Sequence, residues 1–191
     1  MLTLALLSGP TPQDLTNRND EALALVSFPW QQLKYDIVFL APKHGVRAMI
    51  FPRAHRIEVY ARPTDDSHQV AYDIAHELGH AIDVTFNTAE TRKQWMEARG
   101  INPKTPWFGC NGCTDFNTPA GDFAETFAFL LLGPGNFSGK IASAPTDEQV
   151  APLKTFFAAE LQLPSVNPTN AVEAQASAAK VTVDTTALAK K

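Results

Sequence analysis

The pentapeptide His-Glu-Leu-Gly-His at residues 76–80 constrains this chain more than any other feature of its sequence. On an α-helix, side chains four residues apart lie about one turn apart on the same face, so His76 and His80 can bind a single metal ion. Glu77 would lie beside that ion without binding it, placed to take a proton from a water molecule. The pattern predicts a helix with a Zn²⁺ site in which His76 and His80 are ligands and Glu77 is the general base.

The residues around the pentapeptide favour this helix. At about 100° per residue, the apolar positions fall within roughly a third of the helix circumference, and they are Val70, Ile74, Leu78, Ala81 and Ile82. Asp73, His76 and His80 project from the opposite side, and residues 65–67 read Asp-Asp-Ser, which are capping residues. This separation of faces favours a metal site over two solvent-facing histidines on an ordinary amphipathic helix.

A second helix is predicted to supply the remaining ligand, because catalytic zinc usually takes three protein ligands. It begins near Pro119 and runs to about residue 132, with an apolar stripe of Phe123, Phe127, Leu130 and Leu131. Asp122 and Glu125 lie about 60° apart on the other side. Asp122 can also be an acid favoured by the helix dipole, whereas Glu125 lies in an apolar run where an unpaired carboxylate is costly. We predict that one of the two is the third ligand and that the other supports the site from behind.

These features together resemble the zincin metallopeptidases. HELGH followed some forty residues later by a Phe-Ala-Glu helix is most similar to the glutamate-ligand branch that contains the anthrax lethal factor catalytic domain and the secreted Pro-Pro endopeptidases. The resemblance covers residues 46–132. It implies an α+β fold in which a small, mainly antiparallel sheet packs on the HELGH helix and on a second metal-ligand helix. It also implies one Zn²⁺ per chain and hydrolysis of peptide bonds by a metal-activated water, with Glu77 as general base.

The chain departs from that branch at two points. The relatives place a ligating Glu four residues before the Glu of Phe-Ala-Glu, and this chain has Gly121 there. They also supply a Tyr or His near the second helix to stabilise the oxyanion, and no Tyr or His follows His80 here. The alternative function is therefore a catalytically inactive, zinc-stabilised binding domain.

Three short β-rich runs precede the HELGH helix, at residues 37–41, 47–51 and 56–60, separated by turn sequences. The resemblance implies an edge strand ahead of that helix which binds the substrate backbone by strand addition. We assign this strand to residues 57–61, with Ile57, Val59 and Tyr60 as substrate-binding residues. An ordinary sheet strand is the alternative.

The segment between the two helices contains a further helix and a pair of cysteines. Residues 89–99 are predicted to be helical, with Trp95 and Met96 packed inward. Cys110 and Cys113 are the only cysteines of the chain, too few for a four-cysteine zinc site. Because no thioredoxin-like βαβ unit surrounds them, a disulfide is favoured over a redox-active dithiol.

Length and composition predict one domain. With 191 residues and 45% hydrophobic content, the chain can bury one good core, which we place at residues 16–163. Residues 1–15 are predicted to be a signal-peptide remnant or a flexible N-terminus. From residue 164 to 191 the sequence lacks aromatic residues and is rich in Ala and Thr, which predicts a disordered tail.

Charge and hydropathy indicate which partners to expect. A net charge of −4 without a basic run argues against nucleic acid, and the apolar run at residues 2–7 is too short for stable membrane insertion. The expected partner is a peptide or protein substrate. Paired cysteines favour a secreted or cell-surface protein, with a cytoplasmic location left open. The sequence does not indicate an oligomeric state.

Overall fold

Five α-helices and a three-stranded sheet make up the part of the chain that the structure, a computed structural model, describes: residues 9–134 and 137–161. The α+β prediction is confirmed. In chain order the elements are α1 (Pro12–Leu25), β1 (Asp36–Phe39), β2 (Ala48–Phe51), β3 (Arg56–Val59), α2 (Ser67–Phe86), α3 (Ala89–Ala98), α4 (Pro119–Leu132) and α5 (Asp147–Leu161). The tail predicted at residues 164–191 lies outside the described residues. So do residues 1–8 of the predicted N-terminal segment, and α1 begins within the rest of that segment.

The sheet is mixed, with strand order β1-β3-β2, and not mainly antiparallel as predicted. β2 and β3 form an antiparallel hairpin across the short 3₁₀ turn Pro52–Ala54, which ends at His55 in the left-handed conformation. The hairpin leaves only the other side of β3 free, and β1 pairs there in parallel. β3 is therefore the central strand, and β2 lies at an edge.

This strand order corrects the prediction that residues 57–61 bind a substrate by strand addition. Ile57 pairs with Ile37 of β1 on one side and with Ile50 of β2 on the other, so the backbone of β3 is occupied on both sides. Ile57 and Val59 are fully buried, and the Tyr60 N–H donates to the Arg47 carbonyl. β3 therefore has no free backbone edge at Ile57 and Val59.

Helix α2 forms as its apolar pattern predicts. Asp66 caps its N-terminus, where the side chain accepts from the Gln69 N–H at 2.7 Å. Val70, Ile74, Leu78, Ala81 and Ile82 are all completely buried in the main core. The predicted separation of an apolar face from the histidine face is thus confirmed on the core side.

Gly79, the fourth residue of HELGH, lets α2 and α4 approach closely. A Cβ at Gly79 would lie 2.6 Å from the Cα atom of Ala124, so only glycine fits at this crossing. The close approach brings Glu125, the next residue of α4, up to the histidine face of α2. The pentapeptide therefore contributes to helix packing as well as to the site.

An aromatic cluster holds α4 against α3 and α5. The Trp95 and Phe123 ring centroids lie 4.8 Å apart, and those of Phe123 and Phe157 lie 4.7 Å apart. Trp95 and Met96 are buried, which confirms their predicted inward packing. Among the described helices, none combines the length and the apolar character that crossing a bilayer requires.

Candidate metal centre

Two histidines of α2 and one aspartate converge on a single point. The Nε2 atoms of His76 and His80 lie 2.9 Å and 3.2 Å from the same oxygen, Oδ2 of Asp115. One potential ligand atom from each residue lies within 4.8 Å of the other two, so the group could hold a metal ion. Two imidazole nitrogens and a carboxylate oxygen are a donor set that suits zinc.

Asp115 is the residue that the sequence analysis missed. It begins a 3₁₀ turn, Asp115–Asn117, that leads directly into α4. A turn has no helical period from which its side-chain direction can be inferred. Its position in the sequence could have suggested a role at the site, because Asp115 is an acid just after the cysteine pair and six residues ahead of Gly121.

Glu125 lies behind His76 and not beside Asp115. Its Oε2 atom is 2.7 Å from Nδ1 of His76, the ring nitrogen that faces away from Asp115. Its other oxygen accepts from the backbone N–H of Ser138 and from the Tyr72 hydroxyl, the latter at 3.4 Å. The carboxylate is almost fully buried, at 1% exposure. A carboxylate in this position fixes the histidine tautomer and leaves Nε2 free to bind a metal.

Asp122, the other acid predicted on this helix, faces away from the histidines. Its carboxylate accepts from Arg99 Nε and Nη2, both at 2.9 Å, and from Trp95 Nε1 at 3.0 Å. It is completely buried, and a buried guanidinium such as that of Arg99 requires such a partner. The prediction that Asp122 serves the site as ligand or support is corrected: it joins α4 to α3.

Glu77 lies next to the histidine pair and is 8% exposed. The backbone of Ile50 in β2 lies near its carboxylate and acts to lower the pKa of Glu77. Burial raises the pKa of Glu77, and the neighbouring His80 and His76 limit that rise. A buried carboxylate with a raised pKa is suited to accept a proton at near-neutral pH.

His76 and Asp115 shift each other's pKa in opposite directions. Burial acts to lower the pKa of His76, but hydrogen bonds with Asp115 and Glu125 outweigh it and raise the pKa to about 10. Burial acts in the opposite sense on Asp115, where hydrogen bonds with His76 and His80 hold the pKa well below its usual value. A proton on His76 thus supplies positive charge between two carboxylates, and a bound cation would replace it.

The outer edge of β2 lies beside Glu77. The Tyr60 N–H to Arg47 carbonyl bond, at 2.7 Å, marks residues 47 and 60 as a hydrogen-bonded pair. Because such pairs alternate along an antiparallel ladder, Ala48 and Ile50 direct their backbone groups outward. Arg47 anchors this end of β2 to α2 through Asp73, with Nη2 and Oδ2 at 2.8 Å.

Cys110 and Cys113 form the predicted disulfide. Both residues are exposed, in the loop that precedes Asp115. The bridge is therefore part of the segment that delivers the aspartate to the histidines.

Comparisons of the chain with protein-family models, with curated protein sequences and with solved structures found no match. What can be inferred about function therefore rests on the geometry and chemistry of the site.

Proposed function

We propose that this chain is a zinc-dependent peptidase of the zincin type. His76, His80 and Asp115 would hold the ion, and Glu77 would act as general base. The observation that carries the proposal is the convergence of two Nε2 atoms on one carboxylate oxygen, directly beside a buried carboxylate. An ordinary surface histidine pair needs neither the aspartate nor the buried glutamate.

The donor set and its charge support zinc as the ion. Three protein ligands of nitrogen and oxygen type leave one position open, which is usual for a catalytic zinc site. Glu77 and Glu125 are both buried beside the histidines, and buried carboxylates are stable as anions only near positive charge. Glu125 also gives His76 the carboxylate partner that metal-binding histidines usually have.

The residues of the chain have distinct roles in the proposed hydrolysis. A zinc ion, when bound, supplies Lewis acidity towards a water molecule and a peptide carbonyl. Glu77 accepts the proton of the attacking water and passes it to the leaving amine. Glu125 keeps the His76 ring in position through its hydrogen bond to Nδ1.

The substrate backbone would lie along the outer edge of β2. Ala48 and Ile50 direct backbone groups away from β3 there, and an extended peptide can pair with this edge as an additional strand. A peptide bound at Ile50 would pass close to Glu77, because the Ile50 backbone lies near the Glu77 carboxylate. In this proposal the substrate pairs with β2, and not with the central strand β3.

Peptide-library cleavage by the zinc-loaded protein tests the proposal. Glu77→Gln should reduce cleavage by about 10²- to 10⁴-fold, the usual contribution of a general base, while zinc remains bound. Glu97→Gln, on the exposed face of α3, is the matched control and should keep full activity. Undiminished cleavage by Glu77→Gln would contradict the assigned mechanism, and no cleavage by the zinc-loaded wild type would contradict the peptidase assignment.

A catalytically inactive, zinc-stabilised binding domain is the second candidate. It is favoured by one observation, that no Tyr or His follows His80 in the sequence to stabilise an oxyanion. This candidate predicts bound zinc without turnover, and a Glu77→Gln variant that binds its partner as the wild type does.

A further inference from the structure

The three proposed ligands lie on elements of very different length and burial. His76 and His80 belong to a helix of 20 residues that is packed against the core. Asp115 belongs to a 3₁₀ turn of three residues, and its side chain is 42% exposed. The position of Asp115 therefore depends on the segments on either side of the turn.

On its C-terminal side, the turn is held by Thr118, the residue that caps α4. The Thr118 N–H and hydroxyl both donate to the Asp115 carbonyl, each at 2.8 Å. The same hydroxyl accepts from the Gly121 N–H at 2.9 Å. Asp115 is thus tied through one side chain to the first turn of α4.

On its N-terminal side, Gly109, the residue just before the disulfide, packs between Thr118 and Cys113. A Cβ at Gly109 would lie 2.6 Å from Cγ2 of Thr118 and 3.2 Å from Cβ of Cys113. The Cys113 N–H donates to the Cys110 carbonyl at 3.0 Å, which keeps this loop tight. Only Thr114 lies between Cys113 and Asp115, so a shift of the backbone at the cysteine would move Asp115 as well.

We propose that the Cys110–Cys113 disulfide positions Asp115 for metal binding, so that the oxidised chain binds the ion more tightly than the reduced chain. The inference rests on the proposed metal site and extends it to the cysteines, which act through Asp115 and do not bind the ion. Both cysteines are exposed, so a reductant can reach the bridge. A phosphine would break the S–S bond, yielding two thiols and a phosphine oxide whose oxygen, like the two thiol protons, comes from water.

Cobalt binding tests this inference without reference to activity, since the absorption spectrum of Co²⁺ reports its ligands. The experiment compares the full wild-type chain with Cys110→Ser/Cys113→Ser, by competition against a chromophoric chelator. Loss of the bridge should weaken Co²⁺ binding about tenfold, because Asp115 would then have to be ordered when the ion binds. The spectrum should change as well. The bridge also stabilises the folded chain, so the affinities are compared at a temperature at which both proteins stay folded. Lys104→Ser, an exposed change in the same loop, is the control and should behave as wild type.

A second comparison removes the disulfide from the Asp115→Ala variant. It shows whether the disulfide affects Co²⁺ affinity by positioning Asp115 or by stabilising the fold as a whole. If the disulfide acts through Asp115, its loss should have no further effect on Co²⁺ affinity once the carboxylate is gone. Equal affinity with and without the bridge, or the same loss in the Asp115→Ala background, would overturn the inference. Failure of the oxidised wild type to bind Co²⁺ or Zn²⁺ would instead overturn the metal site itself.

Discussion

Asp115 occupies the space that a side chain at Gly121 would require. A Cβ on Gly121 would lie 2.1 Å from the Asp115 carbonyl oxygen and 2.9 Å from its Cγ atom. Under the proposed assignment to the zincins, the Gly121 position is that of a ligating Glu. The chain offers a carboxylate from the preceding turn in place of one from the helix, and the bare glycine makes room for it.

Gly121→Ala should therefore disturb the site without touching a proposed ligand. The new methyl group would collide with backbone as well as side-chain atoms of Asp115, which cannot rotate away. We expect a loss of about 1–3 kcal/mol in the free energy of unfolding, typical of overpacking, together with weaker zinc binding. Chemical denaturation and zinc competition measure the two effects. Unchanged zinc affinity in this variant would show that Asp115 does not bind the ion.

Glu125 and Asp122 should respond differently to neutralisation. Glu125→Gln removes the carboxylate behind His76 and should weaken zinc binding about 10- to 100-fold, as loss of such partners usually does. Asp122→Asn leaves Arg99 buried without its counter-charge and should cost about 3 kcal/mol in stability. Zinc affinity should change little in that variant at temperatures where it stays folded. Weaker zinc binding in Asp122→Asn, with unchanged affinity in Glu125→Gln, would indicate that Asp122 serves the metal site.

Zinc binding should become tighter as the pH rises. Because the pKa of His76 in the metal-free protein is raised to about 10, the ion must displace a proton from it over the range from about pH 6.5 to 10. Calorimetry at pH 8 in buffers of different ionisation enthalpy should show release of about one proton from this residue per zinc bound. A pH-independent affinity across this range would contradict the coupling of His76 to Asp115 and Glu125.

The same shift affects the stability of the metal-free protein. The folded-state pKa of His76 lies above its ordinary value of 6.5, so its stabilising contribution is complete below pH 6.5 and is lost as the pH rises towards 10. The difference in unfolding free energy between the wild type and His76→Gln should shrink over that interval. Chemical denaturation of both proteins in the presence of a chelator measures this difference in unfolding free energy. A difference that grows with pH would contradict a raised pKa of His76.

The helical parts of the site could be predicted because helix periodicity fixes the direction of side chains. HELGH placed His76, Glu77 and His80 together, and the apolar stripe of α2 is buried as its spacing predicts. For α4 the period placed Glu125 and Asp122 near one another, but it could not say which neighbour each would meet. Asp122 pairs with Arg99, which lies 23 residues earlier in the sequence, and helix periodicity cannot reveal such a partner.

Strand order and turn geometry could not be predicted in the same way. The three strands were located to within about two residues, yet nothing in a run of β-rich residues shows which strand becomes central. The order places β2 at the edge and β3 in the centre, which is contrary to the substrate-binding role predicted for Ile57. Asp115 lies in a turn, where side-chain direction depends on contacts with α4 that only the folded chain shows.

Zinc content per chain tests the central claim most directly, measured by mass spectrometry for the wild type, Asp115→Ala and Asp122→Ala after loading and dialysis. We predict about one zinc in the wild type, as for a single three-ligand site, loss of the metal in Asp115→Ala, and retention in Asp122→Ala. Wild-type protein that takes up no zinc, or an Asp115→Ala variant that holds it as firmly as the wild type, would contradict the account.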